Sequence, residues 1–483
     1  MDENKINTKL LLKSSFWYTI SNFLTRAMVF ITMPLFTRLM TKKQYGDFTV
    51  FATWQIILVI ICGVEVYTTV NRARFDYKEE GELDGYISSS MVLSTTVTFC
   101  LFVLYLAFPQ IFDRFFLLDR KYMMLMFAYL FTMPAFSMFQ AKQRIEYKYK
   151  LNAVLSFSIL FMSYVLAVIL VFMMPSDRLL GRIIGIYGLY IIAGLAFYIY
   201  FLHKSHRITL SAWKYALRLG LPLVFTFLGS QVFLSSDTLV LKHMCSAEEV
   251  AYLSVTQSCS HIMLILVQTL NTAWAPWLFD MLRINETGQI KKIFRIYMWV
   301  IVGGTFTVLL FGPEIIMILA GSEYSESMYI LPANILCGIL TVITSQFVNI
   351  ETYHKKTEYA GILTAVMAVL NIILNIIGVK LFGYRAVCYT TVLCQVLLIA
   401  LHYVFTQKMQ IRELLSVKDL VYVLCASLLL IPVCLLLYQQ SVIRYAFAAV
   451  MVICIVVLLA LKWKDIKPMI RMFIKKDADA DAV

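Results

Sequence analysis

Charge is scarce in this chain. Asp, Glu, Lys and Arg make up 15% of its 483 residues, against 60% apolar residues and a mean hydropathy of +0.77. Soluble domains carry roughly 25% charged and about 45–50% apolar residues, so a soluble globular protein is excluded and a polytopic membrane protein is expected. Paired cysteines are missing too. The ten cysteines fall singly, mostly in apolar stretches, as at Cys100, Cys259, Cys394 and Cys454, with no Cys-x-x-Cys pair and no Cys/His cluster at ligand spacing. A structural metal site is therefore not expected. Long polar insertions are absent as well: the longest connections run approximately from Pro109 to Lys121 and from Trp274 to Arg295, too short for a catalytic domain. An enzyme is not expected, nor a cofactor. The first apolar run is of spanning length, carries an arginine and has no small-residue cleavage site after it, so it is expected to remain in the chain rather than act as a signal peptide.

What is present is a succession of apolar segments. They fall at about 15–34, 48–67, 87–108, 122–139, 153–174, 183–202, 221–241, 252–273, 296–319, 329–350, 359–380, 386–405, 420–438 and 445–463. Each suits a helix crossing ~30 Å of hydrocarbon at ~1.5 Å per residue. The expected fold is thus all-α, with about 14 transmembrane helices. The net charge of +13 is not the footprint of a nucleic-acid binder, because the basic residues collect in alternate loops. Most of the 42 Lys and Arg lie on the N-terminal side, which predicts cytoplasmic N- and C-termini. The stretch 203–220 is basic and amphipathic, with Trp213 and Leu217 set against Lys204, Arg207, Lys214 and Arg218, as in a linker resting on lipid head groups. The C-terminal acidic tail has no assignable role.

Against this apolar background the polar residues are informative. Ser15, Thr19, Asn22 and Arg26 share one helix face, with Arg26 near the middle of the first span. A guanidinium at that depth costs at least ~2.5 kcal/mol and must face protein, water or an anion. Polar stripes recur at Gln257, His261, Gln268 and Asn271, at Asn334, Thr341 and Ser345, and at Thr364, Asn371 and Asn375. Each stripe alone suits either helix packing or a cavity wall; several stripes and a buried cation favour a wet interior. Arg72 and Arg74 at the inner mouth and Arg38 beyond the outer end add cations along the path, and Arg forks match phosphate oxygens. The alternative for these three is orientation or phospholipid contact. Two acids are expected inside spans, Glu65 and Asp237; they suit carrying a coupling H+ or Na+, or neutralising an arginine. His261 is a further titratable candidate, or an interior hydrogen-bonded histidine.

Pro34-Leu35-Phe36-Thr37-Arg38-Leu39 with Tyr45-Gly46, then Asn71-Arg72-Ala73-Arg74-Phe75, then Gly220-Leu221-Pro222-Leu223 opening the seventh span, carry a family resemblance. In their order and spacing the chain resembles the lipid-linked oligosaccharide flippases of bacterial polysaccharide export, the Wzx type, within the multidrug/oligosaccharidyl-lipid/polysaccharide exporter superfamily. The resemblance implies two pseudo-symmetric six-helix bundles, 1–202 and 221–405, joined by the linker 203–220, with two extra helices and a cytoplasmic tail in 406–483. It implies a multi-pass protein of the bacterial cytoplasmic membrane that flips a polyprenyl-pyrophosphate oligosaccharide by alternating access, without bond chemistry. H+, Na+ or the membrane potential would drive the step, and membrane lipids, a polysaccharide polymerase and chain-length machinery would be the partners. Arg26, Asn22, Arg72, Arg74, Arg38, Gln268, Asn271, Asn371 and Asn375 are then the substrate-contact candidates. A peptidoglycan lipid precursor flippase and a multidrug or cation antiporter of the same superfamily are the alternatives; the antiporter is disfavoured by an arginine, rather than an acid, in the first helix. Replacing this cation, Arg26→Ala, is expected to abolish surface polysaccharide while membrane protein levels, followed by immunoblot, stay normal.

Overall fold

The computed structural model describes Leu24 and residues 27–79, 81–205, 207–408 and 416–461; the side chains of 261–270, 272–273 and 357–358 lie outside that description. The described residues are helical, without strands. In order, the helices are α1 (Ala27–Leu39), α2 (Lys42–Gly63), α3 (Val66–Asp76), α4 (Glu82–Ala107), α5 (Pro109–Phe116), α6 (Arg120–Ile145), α7 (Tyr149–Met173), α8 (Arg178–Lys204) and α9 (Leu210–Met244). There follow α10 (Ala247–Arg283), α11 (Thr287–Leu310), α12 (Gly312–Leu319), a 3-10 turn at Ser322–Tyr329, α13 (Leu331–Tyr353), α14 (Thr357–Phe382), α15 (Ala386–Lys408), α16 (Val417–Leu437) and α17 (Ser441–Leu461). The apolar segments expected from 48–67 to 420–438 fall on this framework, with 48–67 divided between α2 and α3 and 296–319 between α11 and α12. Twelve spans among the described residues are long and apolar enough to cross a membrane, with Lys42–Asp76 counted as one, and α1 is a shorter apolar helix.

Local chemistry sets the helix ends. Thr41 and Gln44 form a capping box at α2: Thr41 Oγ1 accepts from Gln44 N at 3.2 Å and Gln44 Oε1 from Thr41 N at 3.1 Å. Asp177 accepts from Leu180 N at 3.0 Å to start α8. Gly81, at φ +82°, takes the left-handed conformation that opens α4.

The chain divides into two compact units, Met1–Ala251 and Tyr252–Val483. In the first, α6 is a central helix, packed on α8, α4, α3 and α2, whereas α7 leaves Phe161, Met162 and Phe172 exposed. In the second, α13 packs on α15, α11 and α16, and α14 and α17 present Ile362, Val366, Ile453 and Val456 outward. An apolar helix surface gains little by leaving lipid for another helix, so close backbone approach replaces hydrophobic drive. Two glycines provide it. A Cβ on Gly185 of α8 would lie 2.1 Å from Ala167 Cα of α7, and one on Gly46 of α2 1.7 Å from the carbonyl oxygen of Ala247. The Tyr45-Gly46 motif thus has a steric reason.

Gly185→Leu forces main chains apart and is expected to lower the thermal midpoint of the detergent-solubilised protein, as overpacking costs about 1–3 kcal/mol. Gly304→Ala, with no atom within 4 Å of the added carbon and a position inside α11, is expected to hold or slightly raise the midpoint.

Candidate functional site

The long span Lys42–Asp76 is broken in its apolar interior. Val64 and Glu65, directly after Gly63, both adopt left-handed backbone angles, φ +49° and +52°, although neither is a glycine. Such residues cost of order 1–3 kcal/mol and persist only where surrounding structure fixes them. Here it does. The Gly63 carbonyl, released from the helix, accepts from Ser94 Oγ of α4 at 3.0 Å. The Glu65 carbonyl accepts from Thr68 N at 3.0 Å and Thr68 Oγ1 at 2.6 Å. The Val64 carbonyl is covered by Gly220 of α9, where a Cβ would come within 2.3 Å. This accounts for the glycine of the Gly220-Leu221-Pro222 motif.

The break buries the Glu65 side chain, 3% exposed, with Oε2 lacking any hydrogen-bond partner. The carboxylate interacts with the Tyr67 hydroxyl, which in turn feels the charge of Arg144. Beside the break a cavity of about 20 Å³ lies between Cys62, Gly63, Val66, Tyr67, Pro134 and Ser137. Val59, Leu130 and Met133 complete its mainly apolar lining. No carboxylate–guanidinium pair involving Glu65 occurs among the described residues, and Arg26 lies outside them.

Past the break, α3 carries the two arginines. Arg72 is exposed and donates to Asp76 at 3.3 Å, and Asp76 also accepts from Tyr215. Arg74 is half-buried, its guanidinium 4.4 Å from the Phe75 ring and its Nε without a partner. Next to them, Asp84 bridges the buried Lys142 and Lys204, the latter at 3.1 Å, and Glu146 lies 3.7 Å from Lys142 and 2.7 Å from Lys148. In this region the first unit places Arg72, Arg74, Lys142, Arg144, Lys148 and Lys204 near Asp76, Asp84 and Glu146, with Glu79 and Glu82 in the adjoining turn. Arg forks and ammonium groups in excess over acids suit a phosphorylated ligand.

The other candidates are dispersed. Arg38 is exposed on α1 and donates to the Pro34 carbonyl at 3.1 Å. Asp237 is buried in α9, 3.4 Å from Ser236 Oγ. Asn271 accepts from Asn349 at 3.1 Å and Gln346 at 3.4 Å, joining α10 to α13. Asn371 and Asn375 are fully buried: Asn371 donates to Thr391 at 2.9 Å, Asn375 donates to Asn371 at 3.1 Å, and Thr390 bonds Asn375. These bonds tie α14 to α15, the packing alternative for that stripe. Arg26 and Asn22 lie outside the described residues, as do the side chains of His261 and Gln268 on α10.

Two features escape sequence reading. Arg182, placed in an outer loop by hydropathy, belongs to α8 and is buried among aromatic rings, 3.7 Å from the Phe48 centroid, 4.2 Å from Phe36 and 4.8 Å from Tyr45. The expectation of only two acids within spans also needs correcting: Glu351, fully buried in α13, and Asp84 in α4 are further ones. Polar residues near a span's end read as loop because hydropathy averages over the window.

A family model described as polysaccharide biosynthesis protein matches residues 11–282. No curated protein matches the chain at a significant level. Among solved structures, the lipid II flippase MurJ in an inward closed conformation is similar with a TM-score of 0.67 at 15% identity, over 93% of this chain and 99% of that one. A multidrug resistance MATE family transporter of the MOP superfamily, inward-facing, gives 0.57 at 15% identity, over 82% and 95%. MATE in complex with MaD3S gives 0.51 at 16% identity, over 85% and 99%. At such identities the likeness is one of fold, and that fold is a membrane transporter's.

Glu65→Gln keeps a hydrogen-bonding group beside Tyr67 and removes a buried charge. Its thermal midpoint is expected to rise by about 1 °C per kcal/mol of desolvation relieved, measured by scanning fluorimetry of the detergent-solubilised protein.

Proposed function

Because the chain belongs to the polysaccharide biosynthesis protein family, we propose that it is a flippase carrying a polyprenyl-pyrophosphate-linked oligosaccharide from the cytoplasmic to the outer leaflet. The observation that carries this reading is the family match over residues 11–282 on a transporter fold. The cation-rich region of the first unit supports it: a pyrophosphate is an anion that Arg72 and Arg74 can meet with paired N–H donors. Arg26 is proposed as the cation met deeper in the membrane, with Arg38 beyond the outer end. No bond is made or broken. Glu65, buried and only partly partnered, is the proposed group for coupling to a proton or sodium ion. Asp237 and His261 are the secondary candidates. Coupling is not demanded by energetics, since an anion moving outward across an inside-negative membrane gains ~2.3 kcal/mol per charge per ~100 mV.

In this reading the protein resides in the bacterial cytoplasmic membrane with both termini inside, where membrane lipids surround it and a polymerase with chain-length machinery takes up the product. A second reading, translocation of a lipid-linked peptidoglycan precursor, is favoured by the fold likeness to a lipid II flippase over 99% of that chain.

Proteoliposomes holding the purified protein and a labelled polyprenyl-pyrophosphate oligosaccharide separate the two. Protein-dependent exposure of the head group, reduced at least tenfold by Arg72→Ala/Arg74→Ala and by Arg26→Ala, is expected. Translocation of the peptidoglycan precursor alone establishes the second reading, and movement of neither substrate overturns both.

A further inference from the structure

Far from the helix break, the second unit holds a pair of ionisable side chains that the reading above does not use. Glu351 lies two residues before the end of α13, and His402 lies in the last two turns of α15. Both side chains are fully inaccessible, and His402 Nδ1 meets Glu351 Oε1 at 2.7 Å. Phe347, one turn before Glu351, stacks on the imidazole at 6.1 Å between ring centres with 18° between planes. The remaining polar atom of each partner, Glu351 Oε2 and His402 Nε2, is buried without a hydrogen-bond partner. Gln395, two turns from His402 on the same face of α15, also buries an Oε1 without a partner, and so does Gln346 of α13.

A pair built only to lock two helices together satisfies its outer atoms, because each idle buried polar atom weakens the lock. Here each partner keeps one atom in reserve. The charge count is equally telling. A carboxylate beside a neutral imidazole leaves one uncompensated negative charge in an apolar interior, whereas one added proton makes the pair neutral, as acid with imidazole or as carboxylate with imidazolium. Proton gain and loss is therefore the change of state available to this pair.

Among the other ionisable groups on the helices packed around this pair, the Tyr297 hydroxyl of α11 is also buried without a hydrogen-bond partner. Arg295 of α11 pairs with Asp419 of α16 at 2.8 Å; Lys291 and Tyr297 of α11 are half-buried, and Lys292 is exposed. Lys418 and Tyr422 of α16 are exposed, as are Lys408 of α15 and Lys356 at the start of α14; Tyr359 of α14 stacks near Phe405, and Tyr403 of α15 is half-buried. On α13 and its cap, Tyr353 packs against His354, whose ring bonds the Ile350 carbonyl, and Lys355 is exposed. No group of three or more metal-ligating side chains occurs among the described residues, so a cation shared with a third ligand is not offered there.

We infer that Glu351 and His402 form a proton-binding site in the second unit, one that takes up and releases a single proton. The site stands independently of the substrate proposed above. Its test uses the full-length protein in lipid nanodiscs with nitrogen-15 histidine and carbon-13 glutamate labels, followed by nuclear magnetic resonance from about pH 5 to 9, the range in which imidazoles change charge. His402 is identified by the signal lost in His402→Gln. The expected result is that the His402 ring and the Glu351 carboxyl shift together over one pH interval, and that Glu351→Gln moves the His402 midpoint by at least one pH unit. Should Glu351→Gln fail to fold, Glu351→Asp withdraws the carboxylate by one methylene and is expected to move the same midpoint. Independent titration of the two groups, no titration of either while the protein stays folded, or a His402 midpoint indifferent to residue 351 overturns the inference.

Discussion

In a hydrocarbon surround, every main-chain carbonyl and amide must find its partner within the protein, and the described structure is arranged around that requirement. Continuous helices meet it by themselves. The interruption at Val64–Glu65 does not, and three elements are recruited to repair it: Ser94 of α4 bonds one released carbonyl, Thr68 bonds another, and α9 seals a third by bringing Gly220 against it. The break is therefore a fixed feature of the first unit. It buries a carboxylate and sets Arg72 and Arg74 on a short helix of their own.

The two units use polar groups differently. In the first they gather toward one end, where lysines and arginines outnumber the acids they touch and aromatic rings of Tyr77, Tyr86 and Tyr215 pack within 4.9–5.6 Å of one another. In the second, asparagines, glutamines and threonines link helix to helix, as in the Asn371–Thr391 and Asn271–Asn349 bonds. Excess cation beside half-open surface favours ligand contact, while neutral amides bonded to each other favour cohesion.

Much of the helical framework was legible because spanning length is dictated by bilayer thickness and shows directly in hydropathy. Two motif glycines were legible as motifs, and only the fold supplied their reason: Gly46 and Gly220 each touch a carbonyl from a distant part of the chain. The break was not legible. Val and Glu carry no turn signal, and what holds them in left-handed angles is tertiary. The Glu351–His402 contact was equally hidden, because partners 51 residues apart on separate helices leave no periodic trace. The asparagines of α14 show the limit of periodicity: spacing puts them on one face but does not say whether that face meets water or another helix.

Arg182 carries one more implication. Its guanidinium rests against the faces of Phe36, Tyr45 and Phe48, and no carboxylate among the described residues pairs with it. Ring quadrupoles steady a cation without cancelling its net charge. The positive potential accordingly reaches outward. At an effective dielectric of ~20, a unit anion ~10 Å away is stabilised by about 1.7 kcal/mol. A guanidinium held by rings alone thus tilts the electrostatic landscape around it toward anions and away from cations.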